Sequence, residues 1–414
     1  MSQELEPSEA AIPTRSIGRV LFSRDFGPLF AGNLISNSGT WFQNIAQVLL
    51  VYRLTGSTFL VGVVNFAQFA AIIFLATIAG RAADRFDRRR LLILTQASAA
   101  ALTAVLAALT GAELAPAPVV IGFALALGVT TAFATPTLQA LIPSLVSEDE
   151  LPAAVALTAV TFNLSRALGP VLGVLVVANL GIATAFLLNS LSFVILIAAL
   201  LIVVPRPLRA ARVGEGSDRI GVRFLFARGA LIAPILVVGI VSLTADPVNT
   251  LTPAFSTDIL ERPDTFAGYL VGAFGAGAVV AAFAIARFAP SFKVLTVTLA
   301  TEFAGILAFA VSSTVVVGVV ALTVAGFGYL SSVTAATSLL HRSVEDSQRG
   351  RVMAFWSMSF HGVRPFGSLV DGYVAEAASV RAAGIAMSLP AAAGAVGMAL
   401  LGRRRRHSAP DAAA

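Results

Sequence analysis

The chain lacks cysteine, and its 414 residues include one lysine, three histidines and two tryptophans. With no thiol there is no disulfide framework, no cysteine nucleophile and no thiolate metal site. His341, His361 and His407 are scattered, so nothing assembles a metal centre of the His/Cys kind. The lone Lys293 follows Phe292, which excludes the Gly-Lys-[Ser/Thr] end of a phosphate-binding loop. Neither a His-Glu-x-x-His pattern nor a nucleophile–base pair occurs, so an intramembrane enzyme has no machinery here. Charge is scarce as well. Only 12% of residues are charged against 57% hydrophobic, and a mean hydropathy of +0.87 does not suit a soluble chain of this length.

What is present is a series of apolar runs, each long enough to cross a bilayer as a helix of about 20 residues. They fall near 26–50, 58–79, 91–111, 117–140, 153–177 and 182–204, then near 230–253, 265–286, 294–312, 315–338, 353–375 and 382–402. The longest polar connector, with Pro205, Pro207, Gly214, Gly216 and Ser217, divides them six and six. The reading is an all-α membrane protein of twelve transmembrane helices in two six-helix bundles. Its parts are a polar segment at 1–25, a bundle at 26–204, a linker at 205–229, a bundle at 230–402 and a tail at 403–414. Residues 1–24 hold Pro7, Pro13 and several charges but no apolar core before a cleavage site, so no removed leader is expected. The turns on the far side are short, leaving no room for a sensor's soluble domain.

All but five of the 28 basic residues belong to stretches on one side of this arrangement. Arg81, Arg85, Arg88, Arg89 and Arg90 follow the second span, six arginines fill the linker, and Arg403 to Arg406 close the chain. Short basic loops resist translocation, so this side is expected to be the cytoplasm, with both termini inside an inner (plasma) membrane. The formal charge of +6 and pI near 10.6 then report topology and contact with anionic lipid headgroups. No nucleic-acid partner is expected.

Five charged residues lie inside the apolar runs: Arg166, Asp246, Glu302, Arg364 and Asp371. Charge at membrane depth is costly and faces a bundle interior or a wet cavity. Asp246 and Asp371 are read as candidates for proton coupling, with Arg166 and Arg364 as partners for carboxylates across the bundle interface or for an anionic substrate. Glu302, in a peripheral span, reads as a paired structural acid. Uncharged polar residues concentrate in the first, fourth, seventh and tenth spans. Asn33, Asn37, Thr40, Asn44 and Gln47 form one helical stripe, and Thr131, Thr135, Asn249, Tyr329 and Ser331 extend the pattern. A three-helix rhythm of this kind points to a wet centre lined by Asn33, Asn37, Asn44, Gln47, Thr131, Thr135, Asn249, Tyr329 and Ser331.

The fifth and eleventh spans repeat one another at an offset of 198: Asn163-Leu-Ser-Arg166-Ala-Leu-Gly169-Pro170 lies over His361-Gly-Val-Arg364-Pro-Phe-Gly367-Ser368. Arg-x-x-Gly at one depth in both halves points to duplication of a six-helix unit, a common transporter plan. Gly169, Pro170 and Gly173 combine a helix-bending proline with glycines that admit a close neighbour. Gly268 and Gly272 read as packing alone.

The sharpest local signal is Gly80-Arg-Ala-Ala-Asp84-Arg85-Phe-Asp87-Arg88-Arg89-Arg90. Gly80 allows close helix approach, and Asp84 can accept from Arg85 or from a helix N-terminus, so Gly80, Asp84, Arg85, Arg88 and Arg89 read as a cytoplasmic latch. Here the chain resembles the major facilitator superfamily, whose signature in this loop is glycine, three residues, Asp-Arg and a basic cluster; its second glycine is Asp87 in this sequence. Within that superfamily it is similar to bacterial enterobactin and macrolide efflux proteins, through Tyr52-Arg-Leu-Thr-Gly56-Ser57, the Ala79–Arg89 loop, Pro136 to Pro143, Gly169-Pro170-Val-Leu-Gly173 and Arg349-Gly350-Arg351-Val352. Gly169-Pro170-x-x-Gly173 also resembles the fifth-span antiporter motif, with Ser165 in place of its upstream glycine. The resemblance implies two bundles rocking about a central site, no cofactor, and a proton gradient as energy source. The implied activity is proton-coupled efflux of a small amphiphilic molecule such as a drug, siderophore or secondary metabolite by a monomer; import or facilitation is the alternative.

Overall fold

A computed structural model describes residues 14–206, 229–344 and 346–407, and these are helical with short connections. Most of the 205–229 linker lies outside the described residues. A short helix α1 (Thr14–Leu21) opens the chain within the segment read as merely polar. Its Val20 joins a buried cluster with Phe26, Ile142 and Leu157, flanked by Ile17 and Leu21, so it lies against the start of the fifth span.

The first half continues as α2 (Gly27–Thr55), α3 (Thr58–Arg85), α4 (Arg88–Gly111), α5 (Ala117–Leu141), α6 (Leu151–Leu180) and α7 (Ile182–Ile202). The second half holds α8 (Gly229–Thr244), two short pieces α9 (Pro247–Thr250) and α10 (Thr252–Ala254), then α11 (Phe266–Ala284), α12 (Phe292–Val311), α13 (Val315–Arg342), α14 (Asp346–Gly362), α15 (Arg364–Ala377) and α16 (Val380–His407). Among the described residues, ten helices are long and apolar enough to cross a membrane. The two further segments are α2, diluted by its polar stripe, and the interrupted pair α14–α15. α16 runs on through Arg403 to His407, past the point where the sequence placed a tail. Large apolar side chains such as Phe74, Phe283 and Val316 stay about three-quarters exposed, as lipid-facing positions do.

Inside each half the same pairs pack: α3 on α5 and α4 on α7 in the first, α11 on α13 and α12 on α16 in the second. The halves meet through α3 against α15 and α6 against α11. Glycine sets these contacts. A Cβ on Gly128 would strike the Gln68 carbonyl, and one on Gly326 would strike that of Phe274. Gly128 and Gly326 are themselves 198 apart, so the duplication extends from the fifth and eleventh spans to α5 and α13.

The arginines after α3 have a defined structural job. Asp87, standing where the loop signature has its second glycine, accepts a 2.7 Å bond from the Arg90 N–H and caps α4. Arg88 donates to the Ala140 carbonyl at the end of α5. Arg89 donates to the Leu200 and Leu201 carbonyls at the end of α7, both at 2.6 Å. Guanidinium groups at helix C-termini satisfy orphan carbonyls and complement the dipole. Arg89→Ala should therefore lower stability by about 1–3 kcal/mol, read as a lower midpoint in thermal unfolding in detergent, with Arg90→Ala as the neutral control.

Candidate functional site

Proline breaks two spans, and each break carries one of the interior charges. In the seventh, α8 ends at Thr244 and Asp246 precedes Pro247; in the eleventh, α14 ends at Gly362 and Arg364 opens α15 with Pro365 next. Proline lacks the N–H and clashes with the preceding turn. Irregular backbone at membrane depth survives only inside protein or beside water.

The two breaks face each other. Arg364 Nε lies 3.4 Å from Asp246 Oδ1. Ser368 Oγ donates to Asp246 Oδ2 at 2.6 Å and Thr250 Oγ1 donates to the same oxygen at 3.3 Å. Asn65 of α3 donates to Thr250 Oγ1 at 3.3 Å, which ties the first half to the cluster. Asp371, fully buried two turns along α15, has no hydrogen-bond donor on either oxygen among the described residues, yet it lies close enough to Asp246 for their charges to interact. Asp246 thus stands between the guanidinium of Arg364 and the carboxyl group of Asp371. The cluster is electrically neutral with a single proton on the pair.

Above the cluster is a narrow cleft between the halves. Asn44, Asn65 and Asn249 supply amides, Trp41 and Phe69 aromatic faces, and Asp246 and Arg364 the charge. Pro170 contributes to the wall, and Gln68 donates to Asn44 Oδ1 at 2.8 Å. One turn further along each helix, towards the arginine-rich end, lies a second layer. Arg166 donates to Tyr329 OH at 2.7 Å across the halves and sits over the rings of Tyr329, Phe274 and Trp41 at 4.3, 5.7 and 5.8 Å. Its repeat mate Arg364 sits 5.0 Å over Phe69 of the opposite half.

Two further contacts repeat the symmetry. A Cβ on Gly62 of α3 would strike the Ser368 carbonyl, and one on Gly268 of α11 would meet Val174 and the Pro170 carbonyl. Pro170 and Ser368 are the equivalent positions of the repeat, so each half offers one carbonyl to a glycine of the other. Gly268 and Gly272 therefore pack between halves. Gly169 and Gly173 pack α6 onto Trp41, Phe42 and Ile45 of α2, and Ser165 bonds Ser38 Oγ and the Leu34 carbonyl at 3.1 and 3.2 Å. That hydroxyl makes the close α2–α6 contact a hydrogen-bonded one.

The end remote from the arginines is closed by polar contacts between the halves. Arg53 grips Asp264 with two bonds of 2.5 and 2.9 Å. Tyr52 OH meets Thr257 Oγ1 at 2.9 Å. Glu376 accepts from Ser57 Oγ at 2.6 Å and from the Phe59 N–H at 3.2 Å, so a carboxylate caps the positive end of α3. Gly56 turns this corner at φ 66°, a conformation natural only to glycine. Tyr52 to Ser57 is the motif noted in the sequence, and its partners in the second half were not singled out there.

Other residues singled out in the sequence stand apart from the cleft. Gln47 is fully buried near Gln43, which bonds Asn189 inside the first half. Asn33 lines a separate small pocket with Phe26 and Leu138; Asn37 bonds Asn33. Thr131 and Thr135 bond carbonyls of their own helix. Ser331 is fully buried without a partner among the described residues, and Tyr329 is buried beneath Arg166. Of the nine lining residues expected, Asn44 and Asn249 reach the cleft. Glu302, read as a paired acid, has neither oxygen hydrogen-bonded among the described residues, and Gly328 packs on its backbone. Arg364 pairs inside its own half instead of across the interface. Asp84 is exposed and has no bonding partner among the described residues, and Gly80 has open space around it; Arg85 is likewise exposed.

A family model described as "Transmembrane secretion effector" matches residues 21–412. The chain is 25% identical over 371 residues to a staphyloferrin A transporter of Staphylococcus aureus, covering 86% of this chain and 89% of that one. It is 27% identical over 355 residues to an enterobactin exporter of Shigella boydii, with 80% of each covered. Among solved structures, a bacterial homologue of the human lysosomal transporter Spinster, in an inward-facing and unoccupied conformation, aligns with a TM-score of 0.77 at 12% identity over 94% of this chain and 98% of that one. A D-xylose–proton symporter aligns at 0.70 and 13% identity, covering 90% and 96%. These two likenesses concern the fold.

Proposed function

Since the chain belongs to the transmembrane secretion effectors of the major facilitator superfamily, a family of transporters, we propose that it exports a small siderophore-like molecule by proton-coupled alternating access. The observation that carries this reading is the Asp246–Arg364–Asp371 cluster at the floor of a cleft between the two halves. A carboxyl pair beside one guanidinium is neutral with one proton bound and carries a single negative charge with none, so it can take up and release one proton as access alternates. The groups facing it are Arg364 and Ser368 from α15, Thr250 from α9, Asn65 from α3 and, one layer away, Arg166 from α6. Export is taken from the named activity of the Shigella relative. With the arginine-rich end in the cytoplasm, the Arg53–Asp264 and Ser57–Glu376 contacts close the outer side, and the described state faces inward.

One observation favours a second reading, uptake. A ligand that draws Arg364 away from Asp246 leaves that carboxylate uncompensated and favours its protonation, so an anion and a proton load together, as in a symporter. Direction separates the two. Cells with and without the protein are compared for release of enterobactin and staphyloferrin A, with and without an uncoupler. Export raises the external level until the uncoupler stops it; accumulation inside under an inward proton gradient establishes uptake instead.

The cysteine-free chain permits a direct check of the cleft. A cysteine at Asn249 should react with a water-borne thiol reagent, and one at Ser331 should not, being fully buried. Equal protection of both positions removes the wet cleft from the account.

A further inference from the structure

Arg166 and Arg364 occupy equivalent positions of the duplicated unit, one in each half, and each lies against an aromatic ring of the opposite half. They are close enough to feel one another's charge. Their donors are largely unspent. A guanidinium carries five N–H groups. Among the described residues Arg166 uses Nη1 on Tyr329, and Arg364 engages Asp246 through Nε in a 3.4 Å contact. Arg364 is nine-tenths buried and borders the cleft. Asp246 balances the charge of Arg364 and Glu302 acts on that of Arg166, while the aromatic faces steady each guanidinium without occupying its remaining donors.

Resting on the reading of the cleft as the transport site, we infer that its ligand is an oligocarboxylate, with one carboxylate on Arg364 and another on Arg166. Arginine forks match carboxylates in a bidentate manner and give directional recognition. Asn249, at the cleft wall, supplies an amide for a further oxygen. Trp41, shared between the cleft and the Arg166 layer, gives the carbon skeleton an apolar face. A ligand held this way bridges the two halves and draws them together as it binds.

The test uses the full-length protein in detergent. Trp356→Phe leaves Trp41 as the sole tryptophan, so its fluorescence reports the cleft. Citrate is titrated against its uncharged trimethyl ester. The expected result is a saturable change with citrate and an affinity lower by about tenfold or more for the ester. Arg166→Gln should weaken citrate by about tenfold or more, and Arg166→Lys, which keeps the positive charge that acts on the buried Glu302, should recover part of the loss. Equal binding of citrate and ester, or an Arg166→Gln variant that binds citrate normally, overturns the oligocarboxylate site while leaving the cleft as a transport route. Silence of Trp41 to both probes, and to a siderophore the protein demonstrably moves, overturns the cleft itself as the binding site.

Discussion

Asp246→Asn should reduce proton-driven transport to background and also destabilise the fold, whereas Asp371→Asn should do the first without the second. The difference lies in what each removal leaves behind. Asp246 is the counter-charge of the buried Arg364, and stranding one member of a buried ion pair costs about 3–5 kcal/mol. The asparagine also disturbs the short bond from Ser368. Asp371 has no donor on either oxygen among the described residues. Its replacement by a neutral amide of the same shape strands nothing and should stay within about 1 kcal/mol of the parent. Transport in proteoliposomes under a pH gradient, measured beside thermal unfolding, reads both effects. Undiminished proton-driven transport in both variants would remove the carboxyl pair from the mechanism.

The second large effect is conformational. Gly62→Ala should open the end of the molecule that Arg53 and Asp264 close. A methyl group there collides with the Ser368 carbonyl, which is backbone and cannot swing aside. Overpacking of this kind costs about 1–3 kcal/mol, a shift of roughly 5- to 150-fold in the balance of the two states. Gly268→Ala should act alike through Val174 and Pro170, and Gly122→Ala, with open space around it, should do nothing. Cysteines at positions 53 and 264, introduced into a chain that has none of its own, report the shift as slower cross-linking. By contrast, Arg53→Ala alone should move the balance little, because exposed ion pairs contribute about 1 kcal/mol or less.

Much of this was legible in the residues, and what was missed has identifiable causes. Apolar run length revealed the spans, and the offset of 198 revealed the repeat, since both are properties of consecutive residues. The five interior charges stood out because membrane depth penalises them. Which would meet was another matter. Asp246 and Arg364 lie 118 positions apart, and only the two proline breaks bring them together. Asp246-Pro247 and Arg364-Pro365 were available as a signal, a charge beside a helix-breaker in two different spans. The stripe of α2 misled in part because a polar residue inside a bundle has two destinations. Asn44 turned to the cleft, while Gln47 joined the Gln43–Asn189 network within its own half. Asp87 stood out only as a departure from the loop signature and is a helix cap, because the same carboxylate that breaks the signature satisfies the Arg90 N–H. The acids at 264 and 376 carried no local mark, their partners being 211 and 319 residues away.

The reciprocal carbonyl-on-glycine seats at Gly62 and Gly268 bear on speed. Where bulky side chains mesh like gear teeth, one helix slides over another only after rotamers have been lifted out of register, one after the next. At these two seats the surfaces are bare on the glycine side, so α3 and α11 have nothing there to disengage before they roll. The pair behaves as twin journal bearings on opposite flanks of the molecule, and the friction of the cycle shifts to the set of polar contacts at its rim taken together.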